Sequence, residues 1–259
     1  MFCENVNLLN MKIIHLSDLH ISDQGHPIWE TDTLRHFDLC IQGIAKENGV
    51  DAIIVSGDLA DKGSEWAYQY IDGRFAELNV PTYICPGNHD RLSTMQSYLK
   101  FCKYETVVNI NAWKFIFLDT TIVDEYEPSQ NKARGIVKQG DFDMIDSLAA
   151  SSTQPICIVM HHPPIEPGGW MNNKKLLGNR NEFKEFINKY DSIRMVIFGH
   201  IHYPFHAKEC DIIYSSAPSI GFAFNPNLPK YQIESGAEGY HVLMLDDCGN
   251  LVNIKQQKI

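Results

Sequence analysis

The sequence predicts an α/β fold built around a largely parallel sheet. Two observations carry that expectation. Short apolar runs alternate with stretches whose apolar residues recur at helical spacing, the pattern of right-handed βαβ crossovers. Five of those runs then break into clusters of Asp, Asn and His, at the strand ends where such sheets gather ligands.

Residues 11–16 read as a buried strand with Lys12 its only full charge, ending in Ser17-Asp18-Leu19-His20. From Asp32, the residues Leu34, Phe37, Ile41 and Ile44 share one helical face. Thr31 or Asp32 is the N-cap, and Gly49 ends the helix. Residues 51–55 form a second strand, ending in Ser56-Gly57-Asp58-Leu59-Ala60-Asp61. A helix over 64–78 leads to a third strand over 80–85, which stops at Pro86-Gly87 and runs into Asn88-His89-Asp90. Alone, Pro-Gly-Asn is ordinary turn chemistry. A short helix over 92–101 precedes two strands, 106–110 and 113–118, paired through Asn111. The second ends in Asp119-Thr120, and Asp124, Glu125 and Glu127 near Pro128 read as solvated acids. A helix over 140–149 and a strand over 156–160 follow, the strand ending in His161-His162-Pro163-Pro164. A Gly- and Pro-rich loop then runs to Leu177. Asn179 and Glu182 have capping-box spacing and open a helix to about Tyr190. The strand over 193–198 ends in Gly199-His200-Ile201-His202, and runs at 212–215, 239–245 and 251–254 close the fold. With no repeat and no linker, residues 1–259 read as a single domain. Residues 1–10 lie outside its core, and Met11 is an alternative start.

Apolar residues make up 44% of the chain, enough for a sizeable core. The net charge is -10, with the acids spread along the chain. No basic stripe of the kind a sequence-independent nucleic-acid binder needs is visible, so no nucleic-acid partner is expected. Seven cysteines, an odd number without a Cys-x-x-Cys pair, argue for reduced thiols. No apolar run approaches the roughly 18 residues of a membrane helix. The first residues lack the basic start and apolar core of a signal peptide. The expectation is a cytoplasmic protein with no membrane partner.

The clusters supply Asp18 and His20, Asp58, Asn88 and His89, His161 and His162, and His200 and His202. In an extended segment, Asp-x-His and His-x-His place both side chains on one side, which suits two ligands for one ion. Carboxylate, imidazole and amide donors without thiolate suit Mn, Fe, Co or Zn, and disfavour Ca or a structural Zn site. A lone His beside a strand is usually a core or surface residue. The clusters at five strand ends together point to a metal centre.

As a set, Asp18-Leu-His20, Gly57-Asp58, Gly87-Asn88-His89-Asp90, His161 within His-His-Pro-Pro, and Gly199-His200-Ile-His202 resemble the signature blocks of the calcineurin-like metallophosphoesterase superfamily. The resemblance implies a four-layer α/β/β/α sandwich of two mixed sheets, with a dinuclear metal site at the strand C-terminal ends. It implies that Asp18, His20 and His202 bind one ion, that Asn88, His161 and His200 bind the other, and that Asp58 bridges both. The ions would be divalent or trivalent Mn, Fe or Zn. Two such cations, about 3.5–4 Å apart, clamp a phosphate oxygen and acidify a shared water, whose hydroxide attacks phosphorus in line. Asn88 would help hold the developing charge. His89 would bind the phosphate and protonate the leaving oxygen. Asp61 resembles the acid that orients this histidine in related protein phosphatases, and fits equally as an N-cap. His162, Asp90 and His15 read as structural, and Arg91 as a solvated side chain.

The block from Pro163 through Gly-Trp-Met to Asn179, the run Ser216-Ala217-Pro218-Ser219, and Gly239-Tyr240 resemble the class III cyclic-nucleotide phosphodiesterase and glycerophosphodiesterase branch. That branch often carries Asp where this chain has Asn172. The implied substrate is a small phosphodiester, first a 3',5'-cyclic nucleotide of the cAMP type, otherwise a glycerophosphodiester or a broad range. The branch also implies a homodimer through the region after Trp170. Trp170 with Met171 should overhang the site and offer a flat surface to a base, or else Trp170 is core filler. A reading of another class, a non-catalytic metal-binding scaffold, usually goes with a missing His89 or missing ligands, and here the set is complete.

Overall fold

A computed structural model describes residues 10–121, 133–173 and 175–259 of the chain. The acids Asp124, Glu125 and Glu127 and the segment 1–9 lie outside the described residues. Strand β1 is Met11–Leu16, β2 Ala52–Ser56 and β3 Thr82–Cys85. These three lie parallel, and β10 (Gly239–Leu245) and β11 (Leu251–Lys258) extend the sheet antiparallel, in the order β11-β10-β1-β2-β3. The second sheet has the order β4-β5-β6-β7-β9-β8. Its strands are β4 Val107–Ile110, β5 Trp113–Phe117, β6 Ile156–Val159, β7 Ile193–Phe198, β8 Phe205–Glu209 and β9 Ile212–Ser216. Strands β5, β6, β7 and β9 run parallel, with β4 and β8 antiparallel at the edges. Both sheets are therefore mixed.

Three apolar clusters separate four layers. Ile14, Leu16 and Val55 of the first sheet pack against Phe37 and Ile41 of α1 (Thr33–Ile44) and Tyr68, Ile71 and Phe75 of α2 (Glu65–Leu78). Ile116, Ile158 and Val196 of the second sheet meet Phe142 and Ile145 of α4 (Gln139–Ala149) and Phe183 and Ile187 of α5 (Arg180–Ile187). Between the sheets, Ile13 and Ile54 face Phe115, Val159 and Ile197. Strands covered on both faces must be apolar throughout, which is why β1, β2, β6 and β7 read as continuous runs. Each fully buried Ile or Phe contributes roughly 1.5–3 kcal/mol. The short α3 (Leu92–Tyr98) follows the third strand end.

Asp32 caps α1, its Oδ1 accepting from Arg35 N at 2.9 Å, and Ser64 caps α2, its Oγ accepting from Ala67 N at 3.0 Å. Asn179 does not form the expected capping box. Its carboxamide instead clamps Val137, accepting from N at 3.0 Å and donating to O at 2.9 Å. Strand β8 gave no sequence signal, and β11 continues past Ile254 to Lys258. Both are edge strands, where one side meets water and polar residues such as Lys208, Gln256 and Gln257 are at home. Cys40, Cys85, Cys102, Cys157 and Cys210 are free thiols. Cys248, in the β10–β11 turn rather than an apolar run, is disulfide-bonded and corrects the expectation of reduced thiols throughout. Among the described residues, no helix is long and apolar enough to cross a membrane.

Candidate metal centre

The C-terminal ends of β1, β2 and β3 lie side by side in one sheet and those of β6 and β7 in the other. They open on one cavity of about 470 Å³ whose lining includes His20, Asp58, Asn88, His89, His200 and His202. Asp18, His20, Asp58 and His202 present donor atoms within 4.8 Å of one another, and Asp58, His161 and His200 do the same. Asp58 belongs to both groups. Asn88 adds its Oδ1, 3.2 Å from His161 Nε2.

The backbone here differs from the extended geometry read from Asp-x-His and His-x-His. Asp18 (φ 54), His20 (φ 48), Asp58 (φ 53), His200 (φ 72) and His202 (φ 61) are all left-handed. The strands stop before these residues, and the chain turns back to aim them. Each such conformation costs on the order of 1–3 kcal/mol and must be held from outside. Asp18 N donates to Gly57 O and His20 N to Asp58 O, both at 3.0 Å, locking the first two strand ends together. His200 N donates to the Asp18 carboxylate at 3.0 Å, which ties the second sheet to the first. Ser219 Oγ donates to Asp18 O at 2.8 Å, giving the Ser216–Ser219 run a supporting role. Asp90 accepts from Gly87 N at 2.9 Å, Leu59 N at 3.1 Å and Ala60 N at 3.0 Å, so it braces the Asp58 loop as well as its own. At Gly87 the close approach excludes a side chain, since a Cβ there would collide with Asp58 Oδ1.

The hydrogen bonds fix which nitrogens face the cluster. His161 Nδ1 donates to Ser56 O and His202 Nδ1 to Phe222 O, each at 2.8 Å, which leaves both Nε2 atoms directed inward. His202 Nε2 lies 3.2 Å from His20 Nε2, and His161 Nε2 lies 3.1 Å from His200 Nδ1. Ligands 2.0–2.1 Å from one cation at tetrahedral or octahedral angles are about 2.8–3.4 Å apart, so these contacts fit shared cations. Asp58 Oδ2 sits 3.3 Å from His161 Nε2 and 3.5 Å from His20 Nε2, and Asp18 Oδ1 sits 3.3 Å from His202 Nε2. The residues present fit a pair of transition-metal ions.

Electrostatics agree. Burial alone would raise the Asp58 pKa, but His161, His89 and His20 hold it well below the ordinary carboxylate value. Burial holds His200 well below the ordinary imidazole value and lowers His202 to about 4. Burial also works to lower His161, but Asp58 overrides it and raises the group to about 9. An ionised carboxylate among largely bare imidazoles is what a cation requires, and at His161 it must displace a proton.

His89 stands at the edge, 42% exposed, with Nδ1 donating to Asp61 O at 2.8 Å and 3.4 Å from the Asp61 carboxylate. Against its own desolvation, Asp58 and Asp61 raise its pKa to about 10. The N-cap alternative for Asp61 falls, because Ser64 caps that helix. His162 is buried against Thr120, its Nδ1 2.8 Å from Oγ1, and His15 is buried against Ser56. Arg91 is exposed and does not line the cavity.

Trp170 lines the cavity, half-buried, and belongs to an aromatic rim the motifs do not reveal. It meets Phe224 at 5.3 Å and Tyr231 at 6.0 Å between ring centroids. Trp29 stacks on Tyr231 at 6.0 Å and meets Phe222 at 5.0 Å. Trp29 and Glu30 (φ 47 and 65) form a tight turn closed by mutual hydrogen bonds between Ile28 and Thr31. Of this rim the sequence pointed to Trp170 alone; Trp29, Phe222, Phe224 and Tyr231 gave no signal.

A family profile described as calcineurin-like phosphoesterase matches residues 11–204. The chain is 24% identical over 242 residues to the 3',5'-cyclic-nucleotide phosphodiesterase of Nostoc sp., covering 92% of this chain and 88% of that one. It is 26% identical over 246 residues to the 3',5'-cyclic adenosine monophosphate phosphodiesterase CpdA of Pseudomonas aeruginosa, covering 92% and 87% respectively. A solved dimetal phosphatase from Danio rerio shares the fold with a TM-score of 0.67 at 13% identity, over 96% of this chain and 98% of that one.

Proposed function

This chain belongs to the calcineurin-like phosphoesterase family, and from that premise we propose that it hydrolyses 3',5'-cyclic nucleotides at a two-metal centre. Asp18, His20 and His202 hold one cation, Asn88, His161 and His200 the other, and Asp58 serves both. The observation that carries this reading is the membership of Asp58 in both donor clusters. When bound, the cation pair polarises the phosphoryl group and acidifies water. The donor set, free of thiolate, suits Mn, Fe or Zn.

The side chains around the cluster supply the rest. His89 has its Nδ1 proton engaged by Asp61 O, which leaves Nε2 to carry a second proton toward the cavity. Asp61 and Asp58 favour that imidazolium. It can bind the phosphate and pass its proton to the leaving oxygen. The Asn88 carboxamide has its oxygen toward His161, so its NH₂ is free to donate to a phosphoryl oxygen. Exposed Trp29 and half-buried Trp170, backed by the buried Phe222 and Phe224, offer flat apolar surface where a base can stack. Two relatives carry cyclic-nucleotide names, which supports the choice over a glycerophosphodiester, whose glycerol needs no platform.

The test is a phosphodiester panel with Mn²⁺-, Fe²⁺- and Zn²⁺-loaded protein. Bis-p-nitrophenyl phosphate should be hydrolysed, cAMP should compete at millimolar levels, and Asp58→Asn should abolish both metal retention and turnover. Hydrolysis without cAMP competition removes the cyclic-nucleotide assignment. No hydrolysis by the metal-loaded protein removes the enzyme reading.

A further inference from the structure

A lysine that no motif includes enters the same cavity. Lys175 follows the Gly168-Gly169 turn in the loop between β6 and α5, and lines the cavity with Asp58, Asn88, His89 and His200. It is half-buried, and its Nζ lies 6.0 Å from the centroid of the Trp170 ring. Among the described residues, every Lys or Arg ion pair goes elsewhere, and Lys175 has no carboxylate within reach. Burial pulls its pKa below the ordinary lysine value, opposed only by the field of Asp58.

That is a costly place for an ammonium. A cation moved out of water is unfavourable unless an anion meets it. The facing ring attracts the ammonium weakly but carries no net charge. Asp58 is already engaged by the His89 N–H at 2.8 Å and by two imidazoles. Two metal cations at the cluster would take up its charge and repel Lys175 further. The residue therefore needs an anion that arrives with the substrate. A phosphate supplies one, and lysine binds phosphate as a point charge.

We propose that Lys175 is a substrate-binding residue whose ammonium meets a non-bridging phosphate oxygen on the Trp170 side of the cavity. This rests on the phosphodiesterase reading above and adds a contact outside the metal ligands and the Asn88-His89 pair. The ammonium faces the Trp170 ring, which couples the loop carrying the aromatic surface to recognition of the phosphate.

The full chain, loaded with Mn²⁺, tests this with Lys175→Met, Lys175→Gln and Lys175→Arg. The readouts are KM and kcat on bis-p-nitrophenyl phosphate, the inhibition constant of inorganic phosphate, and metal content. Met and Gln should each raise KM and the phosphate inhibition constant about tenfold, the usual weight of one charge-assisted contact. Their kcat should stay within about threefold, because the contact exists before the transition state. Arg, which keeps the charge, should restore phosphate affinity to within about threefold of the parent. Metal content should not move in any variant. Unchanged KM and unchanged phosphate inhibition in metal-replete Met and Gln variants overturn the inference, as does a fall in kcat alone. Failure of the parent reading looks different, since the unsubstituted protein would then turn over no phosphodiester while calorimetry still reads its phosphate affinity.

Discussion

The floor and the rim of the cavity are built by opposite means. The floor residues Asp18, His20, Asp58 and His161 are at most 2% exposed, whereas Trp29 and Tyr231 on the rim are 58% and 60% exposed. The floor comes from strand ends of both sheets, cross-tied through Asp18, Gly57 and His200. The rim comes from separate loops and holds together mainly by ring contacts. A floor this constrained fixes the chemistry that any phosphodiester would meet. Phe222 stacks on His20 and Phe224 on His202, so only the exposed outer rim, Trp29 and Tyr231, is clear of the candidate metal ligands, and substrate choice belongs there.

The sharpest way to break that division is His89→Asn, because His89 stands between the two regions. If His89 protonates the leaving oxygen, kcat on cAMP should fall about 10²- to 10⁴-fold. The loss on bis-p-nitrophenyl phosphate should be much smaller, since p-nitrophenolate leaves without a proton. Metal content should not change, because His89 is in neither group that shares Asp58. Steady-state kinetics on both substrates decide it. Equal losses would reduce His89 to a phosphate-binding residue and assign it wholly to the floor.

Trp29→Ala probes the rim with a smaller expected effect. Base-aromatic stacking is worth roughly 1–3 kcal/mol, so the inhibition constant of cAMP should rise about 5- to 150-fold. The inhibition constant of inorganic phosphate, which has no ring to stack, should stay where it was. A parallel rise for both ligands would mean the rim props up the floor, and the division drawn here would fail.

The same contrast explains what the sequence disclosed. Strands β1, β2, β3, β6 and β7 announced themselves because burial on both faces keeps them mostly apolar, and the abrupt polar breaks then marked the floor. The edges β8 and the end of β11 were silent, since alternating or polar residues there look like loop. The left-handed backbone at Asp18, His20, Asp58, His200 and His202 was also hidden. Glycine would have signalled it, whereas Asp and His are chosen here for their donor atoms. Trp29, Tyr231 and Lys175 come from loops distant in sequence, and no spacing rule joins them.

A third region, between the sheets and outside the cavity, sharpens the division from the other side. His15 and His241 are buried with ring centroids 6.5 Å apart, and the Nδ1 of each is buried without a hydrogen-bond partner. His15 Nε2 pairs with Ser56 Oγ at 2.9 Å. Burial, reinforced by His206 on β8, lowers the His241 pKa from 6.5 to about 4, and burial with His241 holds His15 well below the ordinary value. No carboxylate contributes to either shift. The sign follows from linkage: above pH 6.5 His241 is neutral both folded and unfolded, and between 6.5 and about 4 only the unfolded chain takes up the proton. Stability should therefore be full above the unfolded value and fall as pH drops through that window, by on the order of 3 kcal/mol for His241. Denaturant unfolding of metal-free protein, compared between the parent and His241→Gln, isolates this residue from the cavity histidines. The variant should lose up to one proton's worth of slope in that window and keep the parent's kcat at neutral pH once reloaded with metal. Parallel stability curves would place the acid sensitivity in the cavity histidines, and a changed kcat would mean that packing between the sheets reaches the floor through Ser56.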